Sequence, residues 1–337
     1  MNKLTKIGAS ALCGSLAAIS AANAGDLTVT GGVDMSWISL DDETVGNPIG
    51  MGSNMTFSGS GELDNGWSVA LSIAHKNAAA YSNTNVVVGI PGLGDVRIDQ
   101  GTSGTGIDRM DDKTPNVWEE AYGTGLGSGI DTVSGTAGGT TVEFTPSGTP
   151  DGLTARLAWS PNACGSNSAD KGSSGTCAGV SGSGYDITLT ASSDLIGVEG
   201  LSVYGGIAEI DQFQNASSTD GDKKERTIGA TYAAGGFTLG YQYSKEDTGL
   251  TGTTKYENDA YGITFQVNDD LSIGYNHYES ENDASTPVTA EASSVQIAYT
   301  MGGMSVRLAE ASVDNSKYQT GATYSRDATT LSVSLAF

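Results

Sequence analysis

Apolar and polar residues alternate one for one along most of this 337-residue chain. A period of two places successive side chains on opposite faces of a strand, so it restricts the chain to β-structure. At the C-terminus Leu331, Val333, Leu335 and Phe337 alternate with Ser332, Ser334 and Ala336. Trp67, Val69, Leu71 and Ile73 follow the same rule, as do Tyr185, Ile187 and Leu189, and Phe237, Leu239, Tyr241 and Tyr243. Beyond the N-terminal leader there is no unbroken apolar run of the roughly 18 or more residues that a transmembrane helix needs.

The alternation predicts sixteen strands, near residues 26–40, 52–63, 67–76, 84–90, 95–100, 140–145, 153–160, 184–192, 200–210, 225–233, 237–245, 255–267, 271–280, 291–301, 304–312 and 329–337. Tight turns such as Pro91-Gly92-Leu93-Gly94, Ala234-Gly235-Gly236 and Gly302-Gly303 take turns with long polar loops such as 161–182 and 211–224. Gly, Asn and Asp suit the positive φ of hairpins. Short turns at one end and long loops at the other are expected of an antiparallel up-and-down transmembrane barrel. Residues 318–325 are assigned to the last loop, because an even strand number returns the chain to the end where it began.

The first 24 residues read as a signal peptide. Lys3 and Lys6 form a basic start, Ile7 to Ile19 an apolar stretch, and Ala22-Asn23-Ala24 an A-x-A cleavage site. The barrel is then 25–337. Leu12 stands before Cys13 where a lipoprotein signal needs a small residue. Cys164 and Cys177 remain, and in an oxidising compartment they are natural disulfide partners. A bridge would stabilise the small loop by roughly 3 kcal/mol on the chain-entropy estimate. Free thiols or a metal site are the alternative, but no His is near and the spacing fits no zinc pattern.

A β-sandwich or solenoid also alternates, so face chemistry must discriminate. Trp67 and Phe237 follow short turns and Phe265 precedes one, whereas Trp37, Trp159, Tyr185 and Tyr243 flank long loops. All lie in the apolar phase, as two aromatic girdles around a lipid-facing band would. The other face is Ser, Thr, Gly, Gln and Asn, which predicts an aqueous lumen at this strand number. On this reading 48 glycines and only 16% charged residues signify a chain with no conventional core. A formal charge of −23 speaks against nucleic acid as a partner, since phosphate binding needs a basic surface.

After Val96-Arg97-Ile98-Asp99 come about 38 residues without alternation. Structureless loops this long are usually functional. The stretch carries Asp108, Asp111, Asp112, Glu119, Glu120 and Asp131 against Arg109 and Lys113. Folded inward, these carboxylates would line a constriction opposite Arg97, Arg156 and Arg307, which fall in the polar phase of their strands. Arg226 falls in the apolar phase and is placed at the rim. Such a transverse field would set selectivity; alternatively some of these charges pin the loop to the wall. The carboxylates are also candidate hard-oxygen Ca²⁺ ligands, though without EF-hand spacing, and no other cofactor is expected.

The whole chain resembles the trimeric general porins of Gram-negative bacteria, particularly their alphaproteobacterial branch. The resemblance rests on the signal peptide, Gly92-Leu93-Gly94-Asp95-Val96-Arg97-Ile98, the acidic loop with Asp111-Asp112-Lys113 and Glu119-Glu120-Ala121, and the terminal Leu335-Ala336-Phe337. It implies a 16-stranded barrel in outer-membrane lipid, a homotrimer, a third loop folded inward and Phe337 as the assembly signal. The expected function is passive diffusion of small hydrophilic solutes and ions, with cations preferred on account of the acidic excess. A substrate-specific channel and a non-conducting adhesin or surface protein are the alternatives. An enzyme is not expected: His75 and His277 both fall in the lipid-facing phase near loop ends.

Overall fold

The computed structural model describes residues 27–41, 47–77, 83–100, 104–130, 132–137, 140–163, 181–212, 219–252 and 255–336. The strands are β1 (Thr28–Leu40), β2 (Ile49–Glu62), β3 (Ser68–Lys76), β4 (Asn83–Ile90), β5 (Gly94–Gln100), β6 (Thr140–Pro146), β7 (Leu153–Ser160) and β8 (Ser181–Ala191). They continue as β9 (Leu201–Gln212), β10 (Lys223–Ala234), β11 (Phe237–Asp247), β12 (Lys255–Gln266), β13 (Leu271–Asn282), β14 (Thr289–Met301), β15 (Met304–Asp314) and β16 (Arg326–Ala336). Each pairs antiparallel with its sequence neighbours, and β1 closes on β16 from Gly32↔Ala336 to Leu40↔Ala328. A closed barrel leaves no sheet edge, which is what a spanning sheet in lipid requires. Residues 318–325 contain no strand; short helical turns occupy Ser316–Tyr318 and Ala322–Tyr324. No helix among the described residues is long and apolar enough to cross a membrane.

Short connections gather at one end. Between β10 and β11 only Gly235 and Gly236 intervene, at φ 57° and 87°, the left-handed backbone that a two-residue hairpin demands. At that end Phe237 and Phe265 stack with ring centroids 4.3 Å apart, and Trp67 stands beside the β2–β3 turn. Trp37, Trp159, Tyr185 and Tyr243 form the girdle toward the long loops. Between the two girdles the outward face is an apolar band in which Ile228 is 59% exposed and Leu189 50%. Exposure on that scale is normal for a surface solvated by acyl chains.

The wall is not uniform. Strands β8 to β16 run 11 to 13 residues, whereas β3 to β7 run only 9, 8, 7, 7 and 8. The inward face is polar, with Asn276, Ser280 and Ser332 fully buried. It nevertheless holds an apolar core, contrary to the sequence expectation. Leu126 and Ile130 of the long loop pack with Tyr278, Val313 and the inward-facing Ile38 and Leu40. Strand periodicity could not reveal this cluster, because its Ala121, Leu126 and Ile130 come from a segment without periodicity. Residues 1–24, Asp131, Cys164, Cys177 and Phe337 lie outside the described residues.

Candidate functional site: the segment inside the barrel

The connection from β5 to β6 bonds to side chains in the lumen phase of strands on opposite sides of the barrel, and so runs through the interior. Its first helical turn, Gly106–Met110, sits against β7, β8, β9 and β10. Ile107 is fully buried there with Val133 and Ala208. The chain next crosses β11 to β13, where the inward face carries Gly240, Gly262 and Gly274. A Cβ on Gly262 would lie 3.1 Å from the Pro115 carbonyl carbon and 3.1 Å from Thr114 Cγ2, and one on Gly274 3.2 Å from Val117 Cγ1. Close approach of two backbones requires Gly at such positions.

Wall side chains then hold the loop's main chain. Gln296 Oε1 accepts from Trp118 N at 3.1 Å, while Gln296 Nε2 and Asn276 Nδ2 donate to the Glu119 carbonyl at 2.5 and 3.2 Å. The second helical turn, Ala121–Gly123, lies against β13, β14 and β15. Thr330 Oγ1 donates to the Thr124 carbonyl at 3.1 Å, and Lys317 N donates to the Ser128 carbonyl at 2.6 Å. Where the outgoing and returning limbs meet the wall, three buried wall carboxylates act as acceptors. Glu143 takes Gly106 N at 2.8 Å, Asp186 takes Ile107 N at 3.1 Å and Thr136 N at 3.2 Å, and Glu225 takes Gly135 N at 2.5 Å. Hydrogen bonds to a charged acceptor are roughly twice as strong as neutral ones, so the loop is fastened at both limbs.

The sequence-selected residues divide into three groups. Asp108, Asp111, Asp112 and Arg156 line one cavity of about 400 Å³, together with Arg109, Lys113 and Thr190. Glu119 and Glu120 belong to the crossing near β13 and β14; Asn116 Nδ2 donates to Glu120 Oε1 at 2.7 Å, and Tyr122 OH links back to Asp112 at 3.4 Å. Arg97 and Arg307 face inward but are paired on the wall itself: Arg97 with Asp99 at 2.5 Å, and Arg307 with Asp34 at 3.4 Å. The loop contributes a base as well, since Arg109 pairs with wall Glu143 at 2.5 Å. Wall carboxylates therefore hold the loop more than wall arginines face it. Glu143, Asp186 and Glu225 were not singled out from sequence, although each is a charged residue in the polar phase of its strand, and that was the available signal.

Crowding among the loop acids shifts their protonation. Burial, then repulsion from Asp112 and Asp108, raises the Asp111 carboxyl to about 7. Burial raises Asp108 to about 6 against the bond it accepts from Gly104 N. Burial and Glu119 push Asp112 up as well. Burial and the adjoining Glu119 raise Glu120 to about 8. Among the described residues the loop acids form no converging set of three cation ligands. Among the described residues the converging set is His277, Glu279 and Glu291, whose donor atoms lie within 4.8 Å of one another. It sits on the outward face.

The family model described as Gram-negative porin matches residues 8–336. No curated protein matches the chain. Among solved structures it is similar to OmpF of Salmonella typhi in complex with daunomycin, at 13% identity and TM-score 0.67, covering 93% of this chain and 98% of that one. It is similar also to the anion-selective porin from Comamonas acidovorans, at 15% identity and TM-score 0.67, covering 93% and 99%. A mutant of the Rh. blastica porin matches at 14% identity and TM-score 0.56, covering 93% and 100%.

Proposed function

The chain belongs to the Gram-negative porin family and is an outer-membrane channel for small solutes; from that premise we propose that hydrophilic solutes and ions diffuse through it passively, with cations preferred. One observation carries the preference. The inward-facing bases Arg97, Arg307 and Arg109 are each matched by a carboxylate, while Asp108, Asp111 and Asp112 converge on a single lumen cavity. An ion passing there meets loop carboxylates on one side and Arg156 on the other, and charged groups at this range decide selectivity. The Comamonas protein is named for anion selectivity on a similar fold, so the sign follows from lumen charge and not from the barrel. The reversal potential of the reconstituted protein across a KCl gradient tests this directly: a positive cation selectivity supports it, and anion selectivity refutes it.

The short strands bear on assembly. A transmembrane strand needs about 9–11 residues, and β4 to β7 have 7 or 8. That low side of the wall is suited to cover by neighbouring copies, which supports a homotrimer. Removal of residues 1–24 on export, a Cys164–Cys177 bridge in the β7–β8 loop and Phe337 as the assembly signal complete the proposal. Chemical cross-linking of the unboiled protein should give a band of three chains.

A further inference from the structure

The outward face carries a feature that conduction does not use. Leu189, Gly205 and Ile228 lie side by side on β8, β9 and β10. With no side chain at Gly205, the row is a trough between two ridges. Val203 and Ile207 bound it along β9, and Ile187 deepens the β8 ridge. The result is a groove of about 620 Å³.

The rim above the groove differs from the rest of the belt. On β9, β12 and β15 the first outward residue beyond the apolar band is an acid: Glu209, Asp259 and Glu310. On β10 and β11 it is a base, Arg226 and Lys245, which are directly paired in register. Lys245 is taken up by Glu257, and the neighbouring Lys224 by Glu209 at 3.2 Å. Arg226 is exposed; among the described residues no carboxylate lies within 4 Å of it, and the acid it acts on, Glu257, is already bound to Lys245. It lines the groove with Tyr243 at the long-loop end, the level at which a headgroup meets the acyl region. A guanidinium matches phosphate geometry with its planar fork of donors.

We propose that this groove is a binding site for a membrane lipid bearing a phosphate ester, with an acyl chain laid over Gly205 and the phosphate on Arg226. Charge complementarity selects the occupant: at this rim Lys224 and Lys245 occupy Glu209 and Glu257, which leaves Arg226 as the uncompensated charge, whereas Asp259 and Glu310 on β12 and β15 repel an anionic headgroup.

The test uses the full-length mature protein in non-ionic detergent. Bound lipid is counted by native mass spectrometry with dioleoylphosphatidic acid, dioleoylphosphatidylcholine, dioleoylglycerol or inorganic phosphate. Phosphatidic acid should be retained best and inorganic phosphate alone should not displace it. Arg226→Gln should weaken phosphatidic acid retention roughly fivefold, the effect of one interfacial cation, and Arg226→Lys should keep most of it. Val203→Trp, which fills the groove from a lipid-facing position, should lower retention of every diacyl lipid. Unboiled gel migration establishes that each variant is folded. Equal retention by wild type and Arg226→Gln, or equal retention of phosphatidic acid and dioleoylglycerol, overturns the proposal; full displacement by inorganic phosphate overturns the acyl half. Conductance of Arg226→Gln should match wild type, which separates this test from that of the channel.

Discussion

Replacing Gly262 by Ala should loosen the loop without damaging the barrel. The added methyl would lie 3.1 Å from the Pro115 carbonyl carbon and closer still to its oxygen. Ordinary contact begins nearer 3.4 Å, so one backbone must retreat, by on the order of 1 Å for a misfit of this kind. The wall cannot: β12 is laddered to β11 and β13 along its length. The loop must, and it is tethered beside the clash by the bonds of Gln296 and Asn276 to residues 118 and 119. At roughly 1 kcal/mol net per hydrogen bond, losing two or three of them weakens that limb by about 2–3 kcal/mol. Single-channel recording is the assay. Open-channel noise should rise and conductance should change, while the heat-induced gel shift that reports barrel unfolding stays within a few degrees, by roughly the size of a local effect. Gly59→Ala is the control, since nothing lies within 4 Å of its Cβ position. Wild-type noise and conductance in Gly262→Ala would refute the close-approach argument.

Three further outcomes follow from the same geometry. Asp108 and Asp111 have carboxyls raised to about 6 and about 7, so they gain protons as pH falls through that range and ionise as it rises. Cation preference should therefore be strongest near pH 8.5 and decline toward pH 5, which reversal potentials across the pH series would check; a flat profile counts against their lining the pore. Reversing Arg156 to Glu changes the cavity by two charges. At about 8 Å in water that is roughly 1 kcal/mol in favour of a monovalent cation and the same against an anion, so the cation-to-anion permeability ratio should rise by about thirtyfold at low salt. Asp186→Asn keeps the size but removes the charge that receives Ile107 N and Thr136 N; trypsin cleavage at Arg109 should become faster than in wild type, and an unchanged rate would show that the anchor is dispensable.

The barrel was legible because lipid imposes a rule on every strand. Each spanning residue must face either acyl chains or water, so phase, strand count and girdles could be read from residue type alone. The loop obeys no such rule. Its course depends on which wall residues accept its backbone, and Asp186 can hold Ile107 only because 79 residues of chain separate them in sequence and none in space. Pairing was equally hidden. Arg97 and Asp99 share a face two residues apart, and that spacing was visible, yet the second bond of Arg97, to the Gly104 carbonyl at 3.4 Å, depended on the path of the loop. The inward Ile38 and Leu40 broke the polar phase of β1, and that exception marked where the loop would pack.

The division of labour between wall and loop has a physical reason. A backbone crossing a polar lumen leaves N–H groups that must be satisfied, and carboxylates are the strongest acceptors a wall can offer. Glu143, Asp186 and Glu225 meet that need and are thereby committed: each is buried, and each is bonded to the loop. The acids left to face passing ions are those of the loop, displayed on a backbone that the wall acids immobilise. Cation preference and loop rigidity thus draw on separate carboxylates. Neutralising an anchor should alter noise before selectivity, and neutralising Asp111 should alter selectivity before noise. Recording both quantities in Asp186→Asn and Asp111→Asn tests that separation, and a variant that changes both in proportion would refute it.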